Sequence, residues 1–519
     1  MLLLTVLGAA AMILASYLSS RVSMGLARDL RREVFHKAEG FSLAEFDRFG
    51  TASLITRTTN DITQIETMLL MALRMASMAP LTLAGGLVMA FTTSPQMSRV
   101  VLVSVPVLLA AVIVLARITT PLSKKMQQCV DRVNQVMREK LSGIRVLRAF
   151  GTEKYEEERF DRANADLTRV SLRMNNLMTL LMPLLMFILN FSTVGIVWLG
   201  VGQVAQGTLQ VGDVMAVVQY VMHIMFSFML LSMMFIIYPR AAASADRINE
   251  VLDAQPAIVD PDQPVTRAPQ HGTVRFEDVS FTYAGSQTPA LEHISFEVGP
   301  GQTLAIIGST GSGKSTILNL ILRFYDATAG RVLVDGTDVR SQAQSTLRGK
   351  IGYVPQRAVL FHGTIAQNLS YGAPGAEEQD LDKAAAIAQA TDFIAEKEDG
   401  LQSEVTRGAT NFSGGQKQRL SIARAIARQP EIYLFDDSFS ALDYKTDAVL
   451  RRQLAGVTRD AAVIIVAQRV STIMSADCIL VLDDAGHVAG MGRHRDLLQS
   501  CGVYREIVTS QLSAEEAGI

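Results

Sequence analysis

The sequence predicts two structural classes in one chain: an α-helical membrane domain over residues 1–250 and an α/β P-loop nucleotide-binding domain over residues 272–519. Three observations carry this expectation. Apolar runs of roughly 20 residues, the length that crosses a hydrocarbon core, fall only in the first half. Four prolines, Pro256, Pro261, Pro264 and Pro269, mark residues 251–271 as a linker, because such spacing prevents a continuous helix or central strand. Finally, Gly308-Ser309-Thr310-Gly311-Ser312-Gly313-Lys314-Ser315-Thr316 fits GxxxxGK[ST]. It lies between a strand-like run, Thr303–Ile307, and a helical run from Ile317, which is the context the motif requires.

The membrane half predicts five spans: Leu2–Ser19, Met68–Phe91, Val100–Ala116, Leu177–Val204 and Val214–Tyr238. The first is not read as a signal peptide, since its basic residues, Arg21 to Arg32, follow it rather than precede it. Basic residues cluster after the first, third and fifth spans, whereas Thr92–Ser98 and Ala205–Gly212 carry no charge. The positive-inside rule then puts the three basic regions in the cytoplasm, residue 1 outside and the nucleotide-binding domain inside. Acidic residues are almost absent from the spans, so nothing suggests an ion pathway.

Composition narrows the alternatives. A formal net charge of −2 gives no reason to expect a nucleic acid partner. Cys129, Cys478 and Cys501 lie far apart and form no CxxC pair, which argues against a disulfide framework or a zinc site. Arginine outnumbers lysine several-fold, a hint of a bacterial source.

In the second half, the glycines of residues 308–316 let backbone N–H groups face phosphates. Lys314 supplies charge to the β- and γ-phosphates and Ser315 offers a hydroxyl to Mg²⁺, with the helix N-terminus adding its positive end. Asp436 closes the apolar run Ile432–Phe435 and suits a Mg²⁺-holding carboxylate. Phe412-Ser413-Gly414-Gly415-Gln416 precedes the helical run Arg419–Arg428 and makes a second anion site at a helix start.

With these motifs the chain resembles the ATP-binding cassette (ABC) family over essentially its whole length, and within it the exporter half-transporters. The resemblance implies ATP and Mg²⁺ as cofactors, with Tyr283 stacking on adenine. Gln356, in Tyr353-Val354-Pro355-Gln356, would touch Mg²⁺ and sense the γ-phosphate. Ser413, Gly414, Gly415 and Gln416 would close in trans over the nucleotide of the opposite cassette, and Ser440-Ala441-Leu442-Asp443 would cross the dimer seam. Phe46–Asp61 and Gly143–Glu158 resemble the two intracellular coupling segments. Glu404-Val405-Thr406-Arg407-Gly408 resembles the exporter segment that meets them, although its spelling departs from the family's. Exporter halves have six spans, so the first family span is expected to be missing here. A late start or a truncated chain would account for that, five spans by design being the other reading.

Two residues depart from the family. Asp437 stands where it has a glutamate that polarises the attacking water, and Gln468 where it has a γ-phosphate-binding histidine. The Asp437 carboxylate reaches roughly 1–1.5 Å less far than glutamate's would, and a misplacement of about 1 Å can cost on the order of 100-fold. Gln468 can donate a hydrogen bond but cannot be a cation. The expectation is therefore an ATPase-coupled exporter subunit with a degenerate site in the plasma membrane, paired with a second half-transporter that carries the competent site. A homodimeric exporter with slow ATPase and a regulatory ATP-binding subunit are the alternatives. A hydrophobic drug-like or lipid substrate follows from the resemblance; Met174, Met178, Met182 and Met186 at helical spacing would suit an adaptable apolar pocket or ordinary packing.

Overall fold

The computed structural model describes residues 2–265 and 268–512, apart from the side chains of a few residues within the membrane helices. Two compact units are present: residues 2–39 with 51–254, and residues 40–50 with 255–512.

The first unit is helical. Its elements are α1 (Leu2–Glu39), α3 (Thr51–Thr56), a π-helical turn (Arg57–Asp61), α4 (Ile62–Thr93), α5 (Pro95–Ser142), α6 (Ile144–Phe150), α7 (Glu153–Ala205) and α8 (Val211–Asp253); α2 (Leu43–Phe49) belongs to the second unit. Among the described residues, five helices are long and apolar enough to cross a membrane. Each predicted span is part of a longer helix: α1 runs 38 residues without a break from its apolar stretch through its basic one. The α4–α5 turn is written locally. Ser94 accepts from Met97 N–H at 3.4 Å, and Pro95 sits in the first turn of α5, where its missing N–H costs nothing.

The π-helical turn places Asp61 against α8. Asp61 is buried and accepts from Arg247 Nε at 2.8 Å and Ser244 Oγ at 3.0 Å. The Arg247 hydrogen bonds hold its carboxyl below the ordinary aspartate value, against the opposing effect of burial. A depressed carboxylate contributes stability above its unfolded-state pKa and loses it as acid titrates the folded form, so this pairing weakens only on acidification. Asp61→Asn should cost on the order of 1–3 kcal/mol, less than a fully buried pair because Arg247 is half exposed. Thermal unfolding of the detergent-solubilised protein measures it. A stability unchanged by Asp61→Asn would mean that the pairing carries no weight.

The second unit contains α2 and an α/β body. Its strands are β1 (Val274–Phe281), β2 (Leu291–Val298), β3 (Thr303–Gly308), β4 (Ala329–Val334), β5 (Thr337–Asp338), β6 (Ile351–Val354), β7 (Gly363–Thr364), β8 (Glu404–Val405), β9 (Ile432–Asp436), β10 (Ala462–Val466), β11 (Cys478–Leu482) and β12 (Val488–Gly492). The helices are α9 (Lys314–Ile321), α10 (Gln344–Gly349), α11 (Ile365–Ser370), α12 (Glu378–Ile387), α13 (Thr391–Ala395), α14 (Gly414–Ala427), α15 (Tyr444–Val457), α16 (Val470–Ile473), α17 (His494–Ser500) and α18 (Gly502–Gln511).

One sheet runs β12-β11-β3-β10-β9-β6, parallel except for β12; a second is an antiparallel set, β2-β1-β4-β5; and β7 pairs β8 antiparallel in a two-stranded sheet. Strands β9 and β10 are buried along their whole length, as expected of strands covered on both faces. Because β3, β10, β9 and β6 are neighbours, the loops after Gly308, Val466, Asp436 and Val354 gather at one sheet edge. In open parallel sheets ligands bind outside the carboxyl ends of the strands, and this edge holds the candidate site.

Candidate nucleotide site

The phosphate loop leaves β3 at Gly308 and enters α9 at Lys314. Gly313, at φ +87°, caps the helix, and a Cβ there would lie 2.5 Å from the Ala290 carbonyl oxygen and 2.7 Å from Leu291 Cδ2. A Cβ on Gly308 would lie 2.6 Å from the Leu482 carbonyl oxygen. Glycine is thus imposed by both the turn and its close packing. Ser309 Oγ is bonded to Asp484, a partner the motif does not announce.

Lys314 is buried and folds back on its own loop, donating from Nζ to the Gly308 carbonyl at 2.9 Å and to that of Ser309. Burial lowers its pKa, partly offset by Asp437 and Asp436. Ser315 Oγ donates to Asp436 Oδ1 at 2.9 Å. Burial pushes the Asp436 carboxyl up; the Ser315 bond relieves this and the neighbouring Asp437 adds to it.

The Ser315–Asp436 pair fits magnesium. Two oxygen ligands at adjacent corners of an octahedron, each about 2.0–2.1 Å from the ion, stand about 2.9 Å apart. Both donors are hard oxygens, and a dication would relieve the cost of a buried Asp436 carboxylate.

Asp437 follows directly in a left-handed conformation, φ +45°, which aspartate tolerates better than most residues. Its N–H bonds the Val466 carbonyl at 2.9 Å, fixing it beside the end of β10, and Gln356 Nε2 stands 3.5 Å from Asp437 Oδ2. The structure therefore brings Lys314, Ser315, Gln356, Asp436 and Asp437 together. The Gln468 side chain is exposed. Its backbone is tied down by a residue that sequence reasoning missed: Gln511 at the end of α18 donates to the Gln468 carbonyl at 2.8 Å and accepts from Val470 N–H at 2.9 Å. Arg469 donates from Nη2 to the Ser440 carbonyl at 2.9 Å, linking this loop to the Ser440–Asp443 turn. Ser440 Oγ in turn bonds the Asp437 carbonyl at 2.8 Å, while Asp443 caps α15 through Thr446 N–H at 2.9 Å.

Tyr283 bonds Thr316 Oγ1 through its hydroxyl at 3.0 Å and meets Tyr325 edge-on, with 5.3 Å between ring centroids. Tyr325 donates to Asp47 of α2 at 3.0 Å. No local signal in the sequence announces that link, because residues 47 and 325 are far apart in the chain. The signature residues sit at the start of α14. Ser413 Oγ accepts from Gln416 N–H at 3.2 Å, and Gln416 Oε1 accepts from Ser413 N–H at 2.9 Å. This is a reciprocal capping box, so Gln416 serves the helix end. The N–H groups of Gly414 and Gly415 belong to a first turn with no intrahelical partner.

A phosphate loop at the carboxyl edge of a parallel sheet, a hydroxyl–carboxylate pair suited to magnesium and a capped glycine turn after Phe412 define a P-loop ATPase domain of cassette type. Family models match here: ABC transporter transmembrane region over residues 1–229 and ABC transporter over residues 291–440. An uncharacterized ABC transporter ATP-binding protein of Mycobacterium tuberculosis is 43% identical over 512 residues, covering 97% of this chain and 87% of its own. The ATP-dependent lipid A-core flippase of Vibrio parahaemolyticus is 32% identical over 494 residues, 95% of this chain and 84% of its own. A solved bacterial Atm1-family ABC exporter with ATP bound superposes with a TM-score of 0.79 at 31% identity, covering 95% of this chain and 86% of that one. The chain belongs to the ABC transporter family, with an exporter-type membrane domain and an ATP-binding domain.

Proposed function

We propose that this chain is one half of an ATP-driven exporter for a lipid-like or hydrophobic substrate, with a weakened ATP site of its own and a second half-transporter supplying the competent one. The observation that carries the reading is the placement of Asp437. Its backbone is locked to Val466 and its carboxylate lies near Gln356, yet it is one methylene shorter than the family's glutamate. The likeness to a lipid A-core flippase supports a lipid-like substrate.

In this reading the backbone N–H groups of residues 309–316 and Lys314 bind the phosphates. Lys314 must first leave the Gly308 and Ser309 carbonyls. Ser315 and Asp436 would hold magnesium, whose charge supplies electrostatic stabilisation at the phosphates. Tyr283 must leave Thr316 to lie on adenine. Asp437 is then asked to orient water from too far back, without a cation at position 468 to hold the γ-phosphate.

The test is a gain of function. Asp437→Glu combined with Gln468→His should raise ATP turnover of the purified protein by about 10–100-fold. Turnover already fast in the unmodified protein alone, abolished by Lys314→Ala and not increased by the double change, would replace this reading with a competent homodimer.

A further inference from the structure

The phosphate loop is braced by the turn that joins β11 to β12. That turn, Asp483–His487, is closed on itself. The Asp483 carboxylate accepts from the N–H groups of Ala485 and His487, both at 2.9 Å, and Asp483 N–H donates to the His487 carbonyl at 3.0 Å. The turn is also tied to the start of β2. Glu292 N–H donates to the Gly486 carbonyl at 3.1 Å, and His487 Nε2 donates to Glu292 Oε2 at 2.6 Å. Gly486 is buried, and a Cβ there would lie 2.4 Å from the Ala290 carbonyl oxygen. Gly313, at the exit of the phosphate loop, packs on that same oxygen. At the loop entry, Gly308 pairs with Leu482, the residue just before the turn.

From this frame Asp484 reaches the loop itself, accepting from Ser309 Oγ. Both residues are exposed. An exposed hydrogen bond between two free side chains contributes little, because water competes and both groups must be ordered. Here the turn that carries Asp484 is already fixed, so part of that ordering cost is met in advance.

The bond also sits where partners change when nucleotide enters. Lys314 rests on the carbonyls of Gly308 and Ser309 and has to leave them to reach phosphate, which removes a donor from the loop entry. The Asp484 bond is made through the Ser309 side chain and is independent of Lys314. It keeps the Ser309 peptide in place during that exchange.

We propose that Asp484 is a positioning residue for nucleotide binding: through Ser309 it holds the entry of the phosphate loop in its phosphate-binding shape while Lys314 changes partners. The proposal rests on the reading that residues 309–316 bind the phosphates, and it does not depend on which half-transporter hydrolyses.

The test is equilibrium binding of a fluorescent ATP analogue, with magnesium, to the purified full-length protein. Asp484→Ala should weaken binding about three- to tenfold, the worth of one ordinary hydrogen bond. Asp484→Asn keeps an acceptor oxygen and should bind within about twofold of the unmodified protein, a rescue that separates positioning from misfolding. Ser309→Ala should weaken binding as Asp484→Ala does, and the two changes together should cost no more than either alone, as expected of residues that act through one contact. An Asp484→Ala effect that persists in full on a Ser309→Ala background would mean that the residue acts elsewhere, and overturns the proposal. Tighter binding by both the alanine and the asparagine variants would make Asp484 a charge that repels phosphate, and overturns it too. Lys314→Ala separates the two levels of the argument. If it weakens binding while Asp484→Ala does not, the positioning role alone fails. If Lys314→Ala leaves binding unchanged, the phosphate reading fails and the proposal falls with it.

Discussion

Gly414→Asp should nearly abolish ATP turnover and transport by the assembled transporter, a loss of about 100-fold or more, the scale seen when one preorganised anion-binding donor is removed. A Cβ at Gly414 meets nothing within 4 Å, so the side chain can be added without disturbing α14. What changes is charge: a carboxylate at a turn whose free N–H groups are placed for an anion repels phosphate in a semi-enclosed site. Under the proposed function this turn closes on the nucleotide of the second half-transporter, whereas Asp437 serves the weak site. Asp437→Asn should therefore leave most turnover in place. The comparison is made on purified complexes with equal assembly of both variants. Equal damage from the two substitutions would make Asp437 a working base and remove the asymmetry.

Gly313→Ala should be the most damaging single-methyl change in the phosphate loop. A non-glycine residue at φ +87° pays about 1–2 kcal/mol in the left-handed region, and the new methyl would press on a backbone carbonyl 2.5 Å away, which cannot rotate aside. Nucleotide affinity, read by equilibrium binding of a fluorescent ATP analogue, should fall more than about tenfold, with a lower unfolding temperature of the second unit. Gly414→Ala is the matched control, since that position has open space around it. Comparable binding by Gly313→Ala and Gly414→Ala would show that the loop relaxes around the methyl.

The fold was legible because its signals are local. Apolar runs announce membrane helices, and a glycine loop between strand and helix announces the phosphate site. The capping box was likewise readable from Ser413 and Gln416 three residues apart, although the turn was read for its anion-facing N–H groups instead. What escaped were contacts made by ordinary polar residues brought together over long chain separations. Gln511 holds the Gln468 loop, Tyr325 reaches Asp47, and Ser309 reaches Asp484. Glutamine, tyrosine and serine have no spacing signature for such roles; their partners are set by where the strands end. The π-helical turn at Arg57–Asp61 was similarly hidden, because Arg-Thr-Thr-Asn-Asp reads as ordinary helix until Asp61 is seen facing Arg247.

The Gln511 tie makes one backbone amide unusually informative. Val470 N–H is bonded to a side chain of the last described helix rather than to a backbone carbonyl. Its exchange with deuterated solvent therefore depends on α18 staying docked, and local openings of this kind cost less than global unfolding. A single peptide spanning residues 466–472 would then act as an isotopic gauge of the loop that follows β10. Its mass shift would rise when α18 lifts and fall when the loop is held, with no label introduced into the ATP site.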